Sequence, residues 1–200
     1  MIAIVDYGAG NLNSVKKAFD YLGADVVITD QADIVMAANK VVLPGVGHFS
    51  SLEALNSKGL SDVLLQGIDC GKPFLGICLG LQWLFEGSEE YRELAGAGIF
   101  PGRCRHFASS VKSPHVGWNS LAIKEGTRLL RGIAKDAFVY YTHSFHAPLI
   151  TEASSLCEYG ARFTAAVERD NIFGVQFHPE KSGDVGLAIL KNFCEGGDVD

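Results

Sequence analysis

The first 95 residues alternate short apolar runs with longer amphipathic stretches. The runs have the length of buried strands, and the stretches between them carry apolar residues at helical spacing. This alternation predicts a parallel sheet whose strands are joined by right-handed helical crossovers, with helices on both faces. The predicted strands are residues 2–5, 26–28, 41–43 and 74–78, and the predicted helices are 12–22, 60–68 and 79–85.

From Gly102 onward, short β-like stretches separated by turn residues predict an antiparallel or mixed portion. We therefore expect an α/β fold: a central, mostly parallel sheet flanked by helices, with an additional antiparallel or mixed β portion in the C-terminal half. Without a linker or repeat, the 200 residues are expected to form one domain, 1–200, with a tail at 195–200 that frays. The predicted elements here are strands 103–107, 118–123, 138–142, 163–167 and 172–177, and helix 185–193.

Composition narrows the choice of partner and compartment. With 48% apolar and 20% charged residues the chain can bury a core, and a net charge of −6 argues against nucleic acid or an anionic membrane as partner. Five cysteines without a CxxC pair indicate a reducing compartment. The apolar run that ends at Asp6 is too short for a signal peptide or membrane span, so we expect a cytoplasmic protein.

Two glycines flank Cys78 in Gly76-Ile-Cys78-Leu-Gly80, between a predicted strand and a predicted helix. This is the cysteine form of the nucleophile elbow, in which small neighbours let the chain turn sharply enough to present the side chain. The start of the following helix favours the thiolate that attacks. The alternative is a structural cysteine buried beside two tightly packed glycines.

A candidate base and its orienting acid follow in Gln176-Phe-His178-Pro-Glu180. In an extended chain, residues two apart point to the same side, so the His178 ring and the Glu180 carboxylate are predicted to lie side by side. The carboxylate would fix the imidazole tautomer while the other ring nitrogen takes the thiol proton. The alternative is a solvated pair at a strand end; with Cys78, however, the motif completes a triad.

Acyl transfer also needs backbone N–H donors aimed at the oxyanion that develops. The glycine-flanked segment Pro44-Gly-Val-Gly47 and the residue after Cys78 suggest the amides of Val46 and Leu79, although 44–47 also fits an ordinary turn. Tyr7-Gly-Ala-Gly-Asn11 lacks the third glycine of a dinucleotide motif. The pair His143 and His146 lacks further ligands in the sequence, so we expect no metal and no cofactor.

Together these motifs resemble the class I, or triad, glutamine amidotransferases, and the resemblance extends over nearly the whole chain. It implies hydrolysis of glutamine to glutamate and ammonia through a thioester on Cys78, with His178 as base and then acid and Glu180 as its orienter. Gln82, one helical turn beyond Cys78, would help hold the substrate. The matching segments are 4–11, 44–49, 114–119, 141–145 and 178–182, and the other implied substrate contacts are Gly45, Gly47, Glu90, Ser144 and Phe145.

Within that family the chain most resembles glutaminase subunits that supply ammonia to a separate (β/α)8-barrel cyclase in histidine biosynthesis. The resemblance implies a heterodimer, in which ligand binding to the cyclase reorients segment 44–47. The glutaminase subunit of pyridoxal phosphate synthase and a catalytically silent regulatory subunit on the same fold are the alternatives. The implied partner-facing residues are Asn11, His115, Trp118 and Asn119, of which Trp118 could instead be a core aromatic.

Overall fold

The computed structural model describes residues 1–196. Two 3₁₀ turns, Phe49–Leu52 and Pro179–Lys181, accompany the helices and strands. The strands are β1 (Ile2–Val5), β2 (Val26–Thr29), β3 (Lys40–Gly45), β4 (Phe74–Cys78), β5 (Phe85–Ser88), β6 (Tyr91–Ala95), β7 (Phe100–His106), β8 (His115–Ser120), β9 (Ala122–Ile123), β10 (Phe138–His143), β11 (Phe145–His146), β12 (Ala153–Glu158), β13 (Arg162–Arg169) and β14 (Ile172–Val175). The helices are α1 (Leu12–Tyr21), α2 (Ala32–Ala37), α3 (Glu53–Ser57), α4 (Leu60–Asp69), α5 (Leu79–Trp83) and α6 (Gly183–Glu195).

The main sheet has eight strands in the order β2-β1-β3-β4-β14-β13-β12-β9. The first five run parallel, and the last three continue the sheet in antiparallel fashion. Two smaller sheets have the strand orders β10-β8 and β11-β7-β5-β6. The predicted α/β fold, mostly parallel with an antiparallel portion from the C-terminal half, is confirmed.

Helices cover the sheet because its central strands are apolar on both faces. Side chains alternate along a strand, so Ile4 of β1 enters one core cluster and Val5 enters the other. Phe19 of α1 and Ile189 of α6 pack into the first cluster, and α4 contributes Leu64 to the second. The carboxyl ends of β3 and β4 then meet at one edge, where Gly45 pairs with Cys78.

Several boundaries differ from the prediction. The helix expected over 79–85 ends at Trp83, because Phe85 begins β5 and pairs with Phe100 of β7. The strand expected over 172–177 ends at Val175, and the stretch 118–123 is divided between β8 and β9. Of the expected tail, Glu195 ends α6, while residues 197–200 lie outside the described range. Within residues 1–196, no helix combines the length and apolarity that crossing a bilayer requires.

Candidate active site

Cys78 sits at the junction of β4 and α5 with φ +53° and ψ −101°, a conformation that residues other than glycine rarely adopt. Its two glycine neighbours explain how the chain can turn there. A Cβ on Gly76 would collide with the carbonyl of Gly80, and a Cβ on Gly80 would collide with the carbonyl of Leu43 in β3. This conformation confirms the predicted elbow. Helix α5 can pack closely against β3 and β4 because Gly76 and Gly80 lack side chains.

Gly80→Ala is therefore expected to lower the free energy of unfolding by about 3 kcal/mol, because the added methyl group meets backbone that cannot yield. Urea denaturation measures the change. Gly67→Ala in α4 is the matched control, since its Cβ would make ordinary contact with the Lys72 side chain at 3.6 Å. Removing a helical glycine there should be neutral or stabilising by up to about 1 kcal/mol. Equal stability of both variants would contradict this account of the elbow.

Cys78 opens onto a cleft of about 280 Å³. The cleft brings together six of the residues named from the sequence as substrate or oxyanion contacts. Gly45 lies beside it, paired with Cys78 across β3 and β4, and the half-buried Val46 follows. The residues that line the cleft are Gly47, Cys78, Leu79, Gln82, Glu90, Pro114, Thr142, His143, Ser144 and Phe145.

His178 and Glu180 form a buried pair. The His178 Nδ1–H donates to Glu180 Oε1 at 2.9 Å, and each side chain is 1% exposed. The predicted contact is confirmed, and the solvated alternative is wrong. The expected extended backbone is also wrong, because Glu180 lies in the 3₁₀ turn Pro179–Lys181. The turn, rather than strand periodicity, brings the carboxylate beside the ring.

The electrostatics of His178 favour the imidazolium. Burial alone would lower the pKa of this histidine, but negative charge on Cys78 and the hydrogen bond and charge of Glu180 outweigh it and raise the pKa to about 10. Within residues 1–196, His178 Nε2 has no hydrogen-bond partner. With Nδ1 held by Glu180, Nε2 is the nitrogen that can exchange a proton with the thiol or its substrate.

Segment 44–47 is built so that only glycine fits at two positions. A Cβ on Gly45 would overlap the Tyr7 hydroxyl, and Gly47 has φ +105°. Burial first, and then the charge of Cys78, raise the pKa of Tyr7 well above its usual range, so its phenol stays neutral. The assignment of the Val46 and Leu79 amides to the oxyanion stays a prediction.

Gln82 and Glu90 are both fixed at the cleft by backbone groups. The Gln82 Nε2 group donates to the Phe145 carbonyl at 2.9 Å and to Gln176 Oε1 at 3.4 Å. Glu90 Oε2 accepts the Phe49 N–H at 2.8 Å. Each side chain thus presents one remaining oxygen that a substrate can use.

Gln176 is a further residue of the site, and no motif in the sequence assigns it a role. Its side chain is fully buried, and its Nε2 group donates to Cys78 Sγ at 3.7 Å. The sequence feature that could indicate a role for Gln176 is its position as a polar residue within the apolar run 172–177. Its partner Gln82 lies 94 positions away in sequence, so the contact itself has no local signature.

The expected partner-facing residues divide between a surface and the layer beneath it. On β8, Val116 and Trp118 are 57% and 55% exposed, and Asn11 before α1 is exposed as well. The core alternative for Trp118 is therefore wrong. Neighbouring positions on a strand face opposite ways, so His115 is buried and Asn119 half-buried.

His115 belongs to a buried aromatic layer rather than to the surface. It stacks between Tyr141 and Tyr159, with ring centroids 4.7 and 4.0 Å away, and burial lowers its pKa to about 4. Its Nδ1–H donates to Nε2 of His143, whose own Nδ1–H donates to the Phe145 carbonyl. Any influence of His115 on a partner must therefore act through its neighbours.

The glutamine amidotransferase class-I family model matches residues 3–196. The chain belongs to the class-I glutamine amidotransferase family. It is similar to the imidazole glycerol phosphate synthase subunit HisH of Bacillus cereus, with 45% identity over 96% of this chain and 93% of that protein. The subunit of the same name from Methanothermobacter thermautotrophicus is 48% identical over 98% of both chains.

Solved structures share the fold at lower identity. A structure of PurLQS from Thermotoga maritima superposes with a TM-score of 0.76 at 18% identity, covering 97% of both chains. A crystal structure of a glutamine amidotransferase gives 0.75 at 17% identity, covering 97% of this chain and all of that one.

Proposed function

We propose that the chain is the glutaminase subunit of imidazole glycerol phosphate synthase. It hydrolyses glutamine to glutamate and ammonia and delivers the ammonia to a separate (β/α)8-barrel cyclase. The cyclase makes imidazole glycerol phosphate and an aminoimidazole carboxamide ribotide in histidine biosynthesis. The observation that carries the glutaminase assignment is Cys78 on its elbow, at the cleft, beside the buried His178–Glu180 pair. Identity of 45–49% to the named subunit favours this cyclase over pyridoxal phosphate synthase as the acceptor.

The reaction proceeds in two halves. The Cys78 thiolate attacks the side-chain carbonyl carbon of glutamine, and the amides of Val46 and Leu79 stabilise the oxyanion. The imidazolium of His178 then protonates the departing amide nitrogen, which leaves as ammonia, and a thioester on Cys78 remains. His178 next removes a proton from water, which attacks the thioester and releases glutamate. Throughout both halves, Glu180 fixes the tautomer and the orientation of the imidazole.

The cleft recognises the amino-acid end of glutamine. Both Nε2 protons of Gln82 are used within the protein, so its carbonyl oxygen faces the substrate as an acceptor for the α-ammonium group. Glu90 adds a negative charge for the same group. Backbone groups of Gly45, Gly47, Ser144 and Phe145 supply the remaining hydrogen bonds.

The partner covers the exposed apolar residues of the β8-β10 sheet. Trp118, Val116 and Phe138 are each more than half exposed. The family resemblance adds Asn11 and Asn119 to the interface. Segment 44–47 changes orientation when the cyclase binds its ligand, which couples ammonia release to demand. The complex works in the cytoplasm, where the free cysteines stay reduced.

Glutamate release from glutamine tests the assignment. It is measured on the purified chain alone, with the barrel cyclase, and with the cyclase plus its ribotide ligand. We expect a low rate alone and a rise of about 10²-fold or more in the liganded complex, since the switch must move the equilibrium of segment 44–47 by several kcal/mol. Equal rates in all three conditions would contradict the switch. Glutamate release that this cyclase does not stimulate would indicate that the subunit supplies ammonia to another acceptor enzyme.

A further inference from the structure

Beyond the triad, one buried amide is directed at the nucleophile. Gln176 is completely shielded from solvent, and its Nε2 group lies 3.7 Å from Cys78 Sγ. A glutamine side chain costs free energy to bury unless its polar atoms are paired. Both atoms of this amide are paired inside the site, the oxygen with Gln82 and the nitrogen with the thiol.

The orientation of the Gln176 amide follows from a chain of obligatory donors and acceptors. The Phe145 carbonyl can only accept, so the group that faces it must be the Nε2 of Gln82. The second proton of that nitrogen points to Gln176, which must present its oxygen there. The Nε2 of Gln176 is then left on the side of Cys78. The amide can therefore donate to sulfur but cannot accept a proton from it.

We propose that Gln176 is a positioning residue that holds Cys78 Sγ as the thiolate, with Gln82 and the Phe145 carbonyl fixing the direction of its N–H. The inference rests on the proposed function and deepens it. A hydrogen bond from an amide to sulfur is worth more when the sulfur carries a negative charge. His178 supplies the positive charge and the proton that the leaving ammonia needs. Gln176 adds a neutral hydrogen-bond donor that stabilises the sulfur without transferring a proton.

The test is the pH profile of Cys78 alkylation by iodoacetamide, resolved by tandem mass spectrometry with the exposed Cys70 as internal reference. Gln176→Met removes the donor at similar size, and we expect the midpoint to rise by about one pH unit. Gln176→Glu keeps an acceptor for Gln82 but sets a carboxylate beside the sulfur, so its midpoint should rise further. In the liganded complex, kcat for glutamine should fall about tenfold in Gln176→Met with little change in KM.

Asn171→Leu is the matched control. Asn171 is another buried amide, and its Nδ2 group donates to the carbonyls of Ile68 and Lys72, away from the cleft. Its loss should reduce stability without moving the alkylation midpoint of Cys78. A midpoint unchanged in both Gln176 variants, or moved equally by Asn171→Leu, would overturn the proposal. Because alkylation needs no glutamine turnover, failure of the proposed function would appear separately, as absent glutamate release by the wild type.

Discussion

Cys78→Ala should reduce glutamine hydrolysis by about 10⁵-fold or more while leaving ammonia-dependent cyclisation by the partner unchanged. The substitution removes the Cys78 sulfur from the cleft and retains the Cβ that the elbow accommodates. Ammonia from solution bypasses the glutaminase, so the acceptor reaction reports whether the complex still assembles. The measurement compares product formation from glutamine and from an ammonium salt in the same preparation of the complex.

Cys157→Ala provides the matched control for that experiment. Cys157 is likewise buried, and burial raises its pKa to about 11, so its thiol stays protonated at neutral pH. Removing it should cost some stability and leave both reactions intact. If Cys78→Ala instead abolished the ammonia-dependent reaction as well, Cys78 would be structural, and the triad mechanism would fail.

The parallel half of the fold could be predicted because its signals are local. Strands β1, β3 and β4 are largely apolar runs buried on both faces, and α1 and α4 between them have clear helical periodicity. The elbow could also be predicted from its glycines. Gly76 faces Gly80 within the same turn, and Gly80 faces Leu43 in the adjacent strand β3. Patterns of this kind are set by short-range geometry.

Other elements have no such signal. β12, with the sequence ASSLCE, is a strand because it pairs with β13, and its composition alone does not favour β structure. The six-residue α2 is too short to be stable by propensity and depends on packing through Val35. The burial of His115 was missed for a related reason: strand alternation assigns it to the face opposite Trp118, but only the tertiary structure supplies Tyr141 and Tyr159 to stack on it.

Glu180→Gln is expected to lower kcat/KM for glutamine by roughly 10³-fold, because a neutral amide no longer fixes the imidazole tautomer or stabilises its charge. The hydrogen bond and charge of Glu180 are among the causes that raise the pKa of His178 to about 10. Without them the pKa of His178 falls, so the imidazolium that protonates the leaving nitrogen is lost at lower pH. The alkaline limb of the pH profile, measured in the liganded complex, should therefore move to lower pH.

The matched control is Glu168→Gln, which also neutralises a largely buried carboxylate. Glu168 accepts hydrogen bonds from the Arg128 guanidinium and from the Leu129 N–H, and Glu168 is not among the residues that line the cleft. Its variant should lose stability but keep the wild-type alkaline limb. An unmoved limb in Glu180→Gln would mean that the carboxylate serves only to hold the 3₁₀ turn. If only Glu180→Gln displaces the alkaline limb, the proton that the leaving nitrogen receives comes from His178 Nε2. Glu180 bonds Nδ1 of the same ring and so controls how strongly the imidazolium holds that proton.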